Sequence, residues 1–339
     1  MEPGGPGIRG QQLTPCTMTQ FPVFSIVIPT YNRAARILGT LQSIWQQTYS
    51  HYEVIVVDDC STDYTVEVLE PYIRTQRIKF IQHHRNFERS RSRNTGMNAA
   101  TGDFLTFLDS DDLMYPRNLE DAAEYVSSHP ESQCFHNLFE FIDDRGKVVY
   151  RPRFPVVKNQ IRSIAQGNFM SCIGNFIHRE VYTQFRFSTD PEIICGEDWD
   201  FWLRVLAKHK LGRIEKINNG AVQHEGRSVN RQNIRNVERG LQRLVQNLVE
   251  DPELARVYAP HLKTIEATSM IYLAILANSS GASKTALSYL YSAAKKDLSI
   301  LRTPGFLRAS QIAVKGLLQA DQRRLKQSHA DSVREHEES

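Results

Sequence analysis

Between residues 24 and 127 of this 339-residue chain, short apolar runs alternate with helix-spaced apolar patterns, and this alternation limits the fold most sharply. Residues 24–28, Phe-Ser-Ile-Val-Ile, make a strand pattern stopped by Pro29, and 34–47 carry Ile37, Leu41, Ile44 and Trp45 at helical spacing. Strand patterns recur at 54–57, 78–82 and 104–108, with helical patterns at 65–72, 90–100 and 118–127. Strands alternating with helices imply βαβ units and a mostly parallel sheet. Strands apolar along their whole length imply a sheet covered on both faces. The expected class is α/β, with a mostly parallel central sheet flanked by helices. Ligands of such sheets bind outside the carboxyl ends of the strands, so the residues just after each strand are the candidates for chemistry.

From 133 to 226 the pattern is less regular, with strands expected at 134–142 and 147–151 and a helix at 199–209. Beyond 230 the strand signals vanish. Residues 232–319 read as successive amphipathic helices, as in Leu287, Leu290, Tyr291 and Ala294 at i, i+3, i+4 and i+7. The expected organisation is a flexible tail at 1–20, a catalytic α/β domain at 21–230, an all-helical extension at 231–325 and a charged flexible tail at 326–339. The first tail spells G-x-G-x-x-G from Gly5 to Gly10, but a dinucleotide fingerprint must follow a strand and open a helix, and no strand precedes it.

With 41% hydrophobic and 23% charged residues the chain can bury a sizeable core, which excludes disordered and collagen-like classes. A net charge of +3 is too balanced to indicate nucleic acid. The charge is unevenly placed: residues 263–326 hold ten Lys/Arg against three Asp/Glu. That basic segment reads either as a solvated helical appendage, packing on the catalytic domain or on a second subunit, or as a peripheral membrane contact through 284–326. In the second case Lys295, Lys296, Arg302, Arg308 and Lys315 would meet anionic lipid. Pro304-Gly305 interrupts the segment and no long apolar face stands out, which favours the first reading. Five scattered cysteines without a CxxC pair imply reduced thiols in the cytoplasm. The N-terminus lacks the apolar stretch of a secretory signal. The apolar centre of 267–281 is far shorter than the ~20 residues of a membrane span.

Three post-strand segments carry the chemistry: Pro29-Thr-Tyr-Asn-Arg33, Asp58-Asp-Cys-Ser-Thr-Asp63 and Asp109-Ser-Asp-Asp112. Acid clusters at neighbouring strand ends would face one crevice, and like charges there need a cation. Carboxylates suit Mg²⁺ or Mn²⁺, which typically take one or two of them plus substrate phosphates. A turn and helix cap explain one such residue, not three carboxylates in four positions. Asp59 can accept from a base N–H, and Ser61 and Asp63 read as the cap of the next helix. Arg89, Arg91 and Arg93 include a candidate for a diphosphate. In Gly196-Glu-Asp-Trp-Asp200 the acids lie at a helix start, where the macrodipole favours anions. Helix stabilisation and a general base are both open there. His224 reads as a structural histidine, a metal ligand beside Asp111 or a phosphate binder.

Together, Val27-Ile-Pro-Thr-Tyr-Asn-Arg33, Val57-Asp-Asp-Cys-Ser-Thr-Asp63, Arg93-Asn-Thr-Gly96, Phe107-Leu-Asp-Ser-Asp-Asp112, Gly196-Glu-Asp198 and His224 resemble the inverting family-2 glycosyltransferases with the GT-A nucleotide-diphospho-sugar transferase fold, over residues 22–230. The resemblance implies that Pro29, Tyr31, Arg33 and Asp59 hold the nucleotide, Asp59 most directly, with Arg93 near the nucleotide or diphosphate. Asp109 and Asp111 would form the DxD element, with Asp109 near ribose or sugar. Asp111, Asp112 and His224 would hold Mn²⁺ or Mg²⁺. Asp198 would be the catalytic base, and Glu197 would meet the acceptor or orient the site. Cys60 replaces a more common Asn or Gly. The Q-x-x-R-W motif of processive synthases is missing, which favours addition of one sugar. The implied partners are a nucleotide-sugar donor, with UDP favoured, and a glycan, lipid-linked or protein acceptor; a homodimer is a further reading. The rivals are a sugar nucleotidyltransferase, which lacks its Gly-rich loop here, and a degenerate nucleotide-sugar-binding scaffold.

Overall fold

The computed structural model describes residues 21–155, 157–193, 195–227 and 232–337. The expected tail at 1–20 with its glycine pattern, and the boundary at Asn230, lie outside the described residues.

Four parallel strands form the first half of the sheet: β1 (Phe24–Thr30), β2 (Tyr52–Asp58), β3 (Lys79–Gln82) and β4 (Phe104–Phe107). Their connections are α1 (Ile37–Trp45), α2 (Thr65–Arg74) and α3 (Glu88–Ala99). Period-two alternation in strands buried on both faces explains the two layers. Phe24, Ile26 and Ile28 pack with Val54 and Val56 against α1 and α2, while Val27, Ile55 and Val57 face Met97 of α3. A side chain at Gly96 would collide with Val27, so α3 lies directly on β1.

The second half contains β5 (Leu113–Met114), β6 (Cys134–Ile142), β7 (Val148–Tyr150), β8 (Asn175–His178) and β9 (Leu211–Val222), giving the order β3-β2-β1-β4-β8-β6-β9-β5 with β7 beside β6. Only β6 and β9 pair in parallel here; β4–β8, β6–β8, β6–β7 and β5–β9 are antiparallel. The parallel expectation therefore describes β1 to β4, and the whole sheet is mixed. Helices α4 (Asn118–Ser128), α5 (Gln160–Ala165), α6 (Arg179–Gln184) and α7 (Glu197–Lys208) complete this part.

Helices α8 (Ile234–Glu250), α9 (Pro252–Tyr258), α10 (Leu262–Ser279), α11 (Ser283–Lys296) and α12 (Pro304–Glu337) follow. The backbone of α12 is helical through 326–337, where the sequence reads as a tail. The apolar core does not stop at residue 230. Val237, Leu241 and Leu244 of α8 and Ile265 and Leu273 of α10 share one cluster with Trp199, Trp202 and Leu206 of α7. A separate, smaller cluster joins α10, α11 and α12 through Ala274, Ala277, Leu290, Ala309 and Ala313. No described helix is long and apolar enough to cross a membrane, and Cys60, Cys134, Cys172 and Cys195 are free.

Candidate active site

Strand β1 is flanked by β2 on one side and β4 on the other, so the loops after all three lie side by side at the carboxyl edge, where the strand order reverses. The first two loops are cross-braced. Asn32, in the left-handed region with φ of 52°, accepts the Thr62 N–H at 2.8 Å, and its own N–H donates to Ser61 Oγ at 2.9 Å. Asn is among the residues that tolerate this conformation. Asp63 caps the start of α2 by accepting from Thr65 N at 3.0 Å, and it also accepts from Ala34 N at 3.1 Å. Ser61 does not share that role: it bonds Asp58, whose carboxylate also takes the Ser61 N–H at 3.0 Å.

A cavity of about 490 Å³ opens above these loops. Pro29, Tyr31, Arg33, Asp59, Arg93, Asp109 and Asp111 line it, whereas Glu197, Asp198, Asp112 and His224 lie outside its lining. Asp59 is 4% exposed and accepts from His83 Nδ1 at 2.7 Å and from Phe87 N at 2.9 Å. His83 follows β3 directly, so the strand-end rule that found the other loops points to it as well.

Asp111 Oδ2 meets His224 Nε2 at 2.9 Å and Arg33 Nε at 3.2 Å. Two of the three expected metal ligands are thus together. Asp112 is not with them. Its carboxylate is 2% exposed, accepts the Val222 N–H at 2.9 Å and lies outside the cavity lining. Burial pushes it well above the usual carboxylate range, against the pull of Arg227. Its work is to fasten the acidic loop to the end of β9, while Thr40 of α1 donates to its carbonyl at 2.9 Å. Among the described residues no three His, Cys, Asp or Glu side chains group closely enough to hold a metal. A carboxylate beside an imidazole is a donor pair that suits Mn²⁺.

Arg93 joins the acidic loop to the start of α7. It is 3% exposed and donates through Nη1 to Glu197 Oε1 at 3.0 Å and through Nη2 to Asp109 Oδ1 at 3.2 Å. Arg89 Nε adds a second contact to Glu197 at 3.4 Å. The three acids of the helix start therefore divide. Glu197 takes the two arginines, and Asp200 pairs with Arg204 at 2.7 Å within its own helix. Asp198 has no ion pair among the described residues; its Oδ1 accepts only the Trp199 N–H, at 2.9 Å. Burial, and next the Glu197 charge, push Asp198 up to about 6, although Arg93 pulls the other way.

The helical extension contributes a wall that the sequence does not announce. Gln232, Asn233 and Asn236 line the cavity together with Cys195. Tyr272 of α10 donates to Gln232 Oε1 at 3.1 Å, and burial together with the charge of Asp198 pushes its phenol upward. Gly240 brings α8 onto the backbone just before α7: a Cβ there would stand 2.8 Å from Glu192 O and 3.0 Å from Cys195 O.

Residues 25–191 match the model for glycosyl transferase family 2. An uncharacterized glycosyltransferase of Methanocaldococcus jannaschii is 28% identical over 204 residues, which are 58% of this chain and 69% of that protein. Against three other curated relatives, uncharacterized glycosyltransferases of Rickettsia species, the chain spans about a third of their length. Residues 1–349 of Staphylococcus aureus TarS in complex with UDP-GlcNAc superpose with a TM-score of 0.58 at 20% identity, covering 87% of this chain and 92% of that one. The mannosyltransferase PcManGT of Pyrobaculum calidifontis, in complex with GDP-Man and Mn²⁺, gives 0.57 at 18% identity, covering 88% and 86%. At these identities the two structures establish the shared fold.

Proposed function

The chain belongs to the family-2 glycosyltransferases of GT-A fold, and from that premise we propose that it transfers one sugar from a nucleotide diphosphate to an acceptor hydroxyl with inversion at the anomeric carbon. The observation that carries this reading is the division of labour at the start of α7: Glu197 is occupied by Arg93 and Arg89, while the half-buried Asp198 is paired with no cation among the described residues.

Pro29, Tyr31 and Asp59 receive the nucleoside, with Asp59 fixed by His83 and Phe87 so that it needs no reorganisation on binding. Asp111 and His224 would hold a Mn²⁺ or Mg²⁺ ion, and Asp109, which lines the same cavity as Asp111, would face ribose or sugar. When bound, the ion stabilises the charge that accumulates on the leaving diphosphate. Arg33, now on Asp111, supplies positive charge at the same place. Asp198 takes the proton from the acceptor hydroxyl as its oxygen attacks the anomeric carbon and the bond to the diphosphate breaks. A one-step displacement turns an α-linked donor into a β-linked product. Mn²⁺ and a nucleotide sugar together in the PcManGT complex support the metal assignment, and the UDP-GlcNAc complex of TarS supports a UDP donor.

A thermal-shift panel of UDP- and GDP-sugars, with and without Mn²⁺, tests the reading. Stabilisation by one nucleotide class that depends on Mn²⁺ is the expected result. The same melting temperature with every nucleotide sugar overturns it.

A further inference from the structure

Helix α12 packs on the body through Ala309 and Ala313, both fully buried. The side turned away from that packing is not polar. Leu307, Val314 and Leu318 are 50%, 48% and 60% exposed, and at i, i+7 and i+11 they fall in one stripe along the helix. Arg308 and Lys315, at i and i+7, form a parallel basic row about a quarter turn away. An exposed apolar row beside a cationic row is the pattern of a helix that lies in a membrane interface.

The surroundings extend this surface. Leu298 and Leu301, between α11 and α12, are exposed, and so is Tyr291 of α11, with Lys295 Nζ 5.6 Å from its ring. Arg308 lies over the ring of Tyr150 at 4.7 Å, which ties α12 to β7, where Val148 and Val149 are also exposed. The charge is one-sided. Between 283 and 318 there are six Lys/Arg and one acid, Asp297. Asp297 is turned to its own backbone and to Thr264, accepting from Ser299 N at 2.8 Å and from the Thr264 hydroxyl. Lys296 is paired with Glu266, which leaves Lys284, Lys295, Arg302, Arg308 and Lys315 facing outward.

The surface is joined through the sheet to the segments that follow β1 and β4. β7 pairs with β6, Ile142 at the end of β6 is in register with Val222 of β9, and Asp112 bonds Val222. Asp144 in the β6–β7 turn pairs with Arg36 at 2.6 Å, close after the loop that follows β1.

We infer that the α12 face with its β7 neighbour docks on an anionic phospholipid bilayer, the apolar row entering the headgroup boundary and the cations facing the lipid phosphates. Vesicle binding does not depend on the sugar-transfer reading, so the two are tested apart.

The full chain is co-sedimented with vesicles of phosphatidylcholine alone and of phosphatidylcholine with roughly 30% phosphatidylglycerol, at about 0.1 and about 0.5 M salt. The expected result is pelleting with the anionic vesicles only, weakened by salt. The double variant Arg308→Glu/Lys315→Glu should bind at least about twenty-five-fold more weakly, near fivefold for each cation lost, with donor hydrolysis unchanged. Leu307→Ser/Val314→Ser should weaken binding while leaving its salt dependence in place. Equal pelleting with both lipids, or none with either, overturns the inference. A dimer that Leu307→Ser/Val314→Ser abolishes, in a chain that ignores vesicles, assigns the face to a second copy instead. The lipid and salt series uses the unaltered chain, so it decides the matter even where a variant loses stability.

Discussion

Arg93 Nη1 donates to Glu197 Oε1 at 3.0 Å, with 4% and 5% of the two side chains exposed. The bond links α3, which closes one side of the cavity, to α7, which carries the proposed base. A second bond from the same guanidinium to Asp109 brings in the acidic loop. One buried cation thus sets the spacing of three elements.

Removing Glu197 should therefore damage the fold as well as the reaction. Glu197→Ala leaves Arg93 buried with half its partners, and breaking a buried pair costs about 3 kcal/mol or more. The expected outcome is a melting temperature several degrees lower, with loss of turnover. Asp198→Asn should abolish transfer, about 10²–10⁴-fold in kcat, and keep donor affinity. Normal turnover by Asp198→Asn removes it from the base role.

The pH dependence follows from Asp198. Its folded value, about 6, lies above the ~3.9 of an unfolded Asp, so between these values the folded state holds the proton more tightly. Its contribution to stability is therefore present at low pH and is lost as pH rises through about 6. Asp198→Asn should melt higher than the parent at pH 7.5 and at an equal temperature near pH 4. The rate runs the other way: kcat should fall about tenfold per unit below the folded pKa, as the base becomes protonated. A flat acid limb counts against the assignment.

Gly240→Ala tests whether the helical extension positions the base. The added methyl meets two backbone oxygens that cannot swing aside, so α8 or the segment before Gly196 must move, at about 1–3 kcal/mol. Lower kcat with unchanged donor affinity, measured by calorimetry, is expected.

Asp111→Asn should abolish the Mn²⁺-dependent part of the thermal shift with a UDP-sugar. Asp112→Asn should leave that dependence in place, since Asp112 faces Val222 and not the cavity. Equal loss in both variants would return Asp112 to the metal.

The first half of the sheet was legible because its strands are short apolar runs separated by helix-spaced patterns. β9 was not, although it is the longest strand, because its sequence includes Gly212, Asn218, Asn219 and Gly220. Those asparagines are buried and satisfied by one another's neighbours: Asn219 Nδ2 donates to Asn137 Oδ1 at 2.7 Å, and Asn118 Nδ2 donates to Asn219 Oδ1 at 2.7 Å. A strand held by side-chain amides from α4 and β6 looks like a loop when it is read alone. Asp112 misled for a related reason. Three acids in four positions look equivalent, and only the placement of Val222, more than a hundred residues later, turns one inward. The apolar row of α12 escaped notice because Arg308, Gln311 and Lys315 interrupt it in sequence but not along the helix.

The brace between Asn32 and the loop holding Thr62 and Asp63 has a thermodynamic consequence. Its hydrogen bonds form when the chain folds, before any nucleotide arrives, so the floor of the donor site loses its conformational entropy at that stage. Donor capture then resembles a key entering a finished lock, and calorimetry on the donor should record a modest heat-capacity change, without the signature of a loop ordering around its ligand.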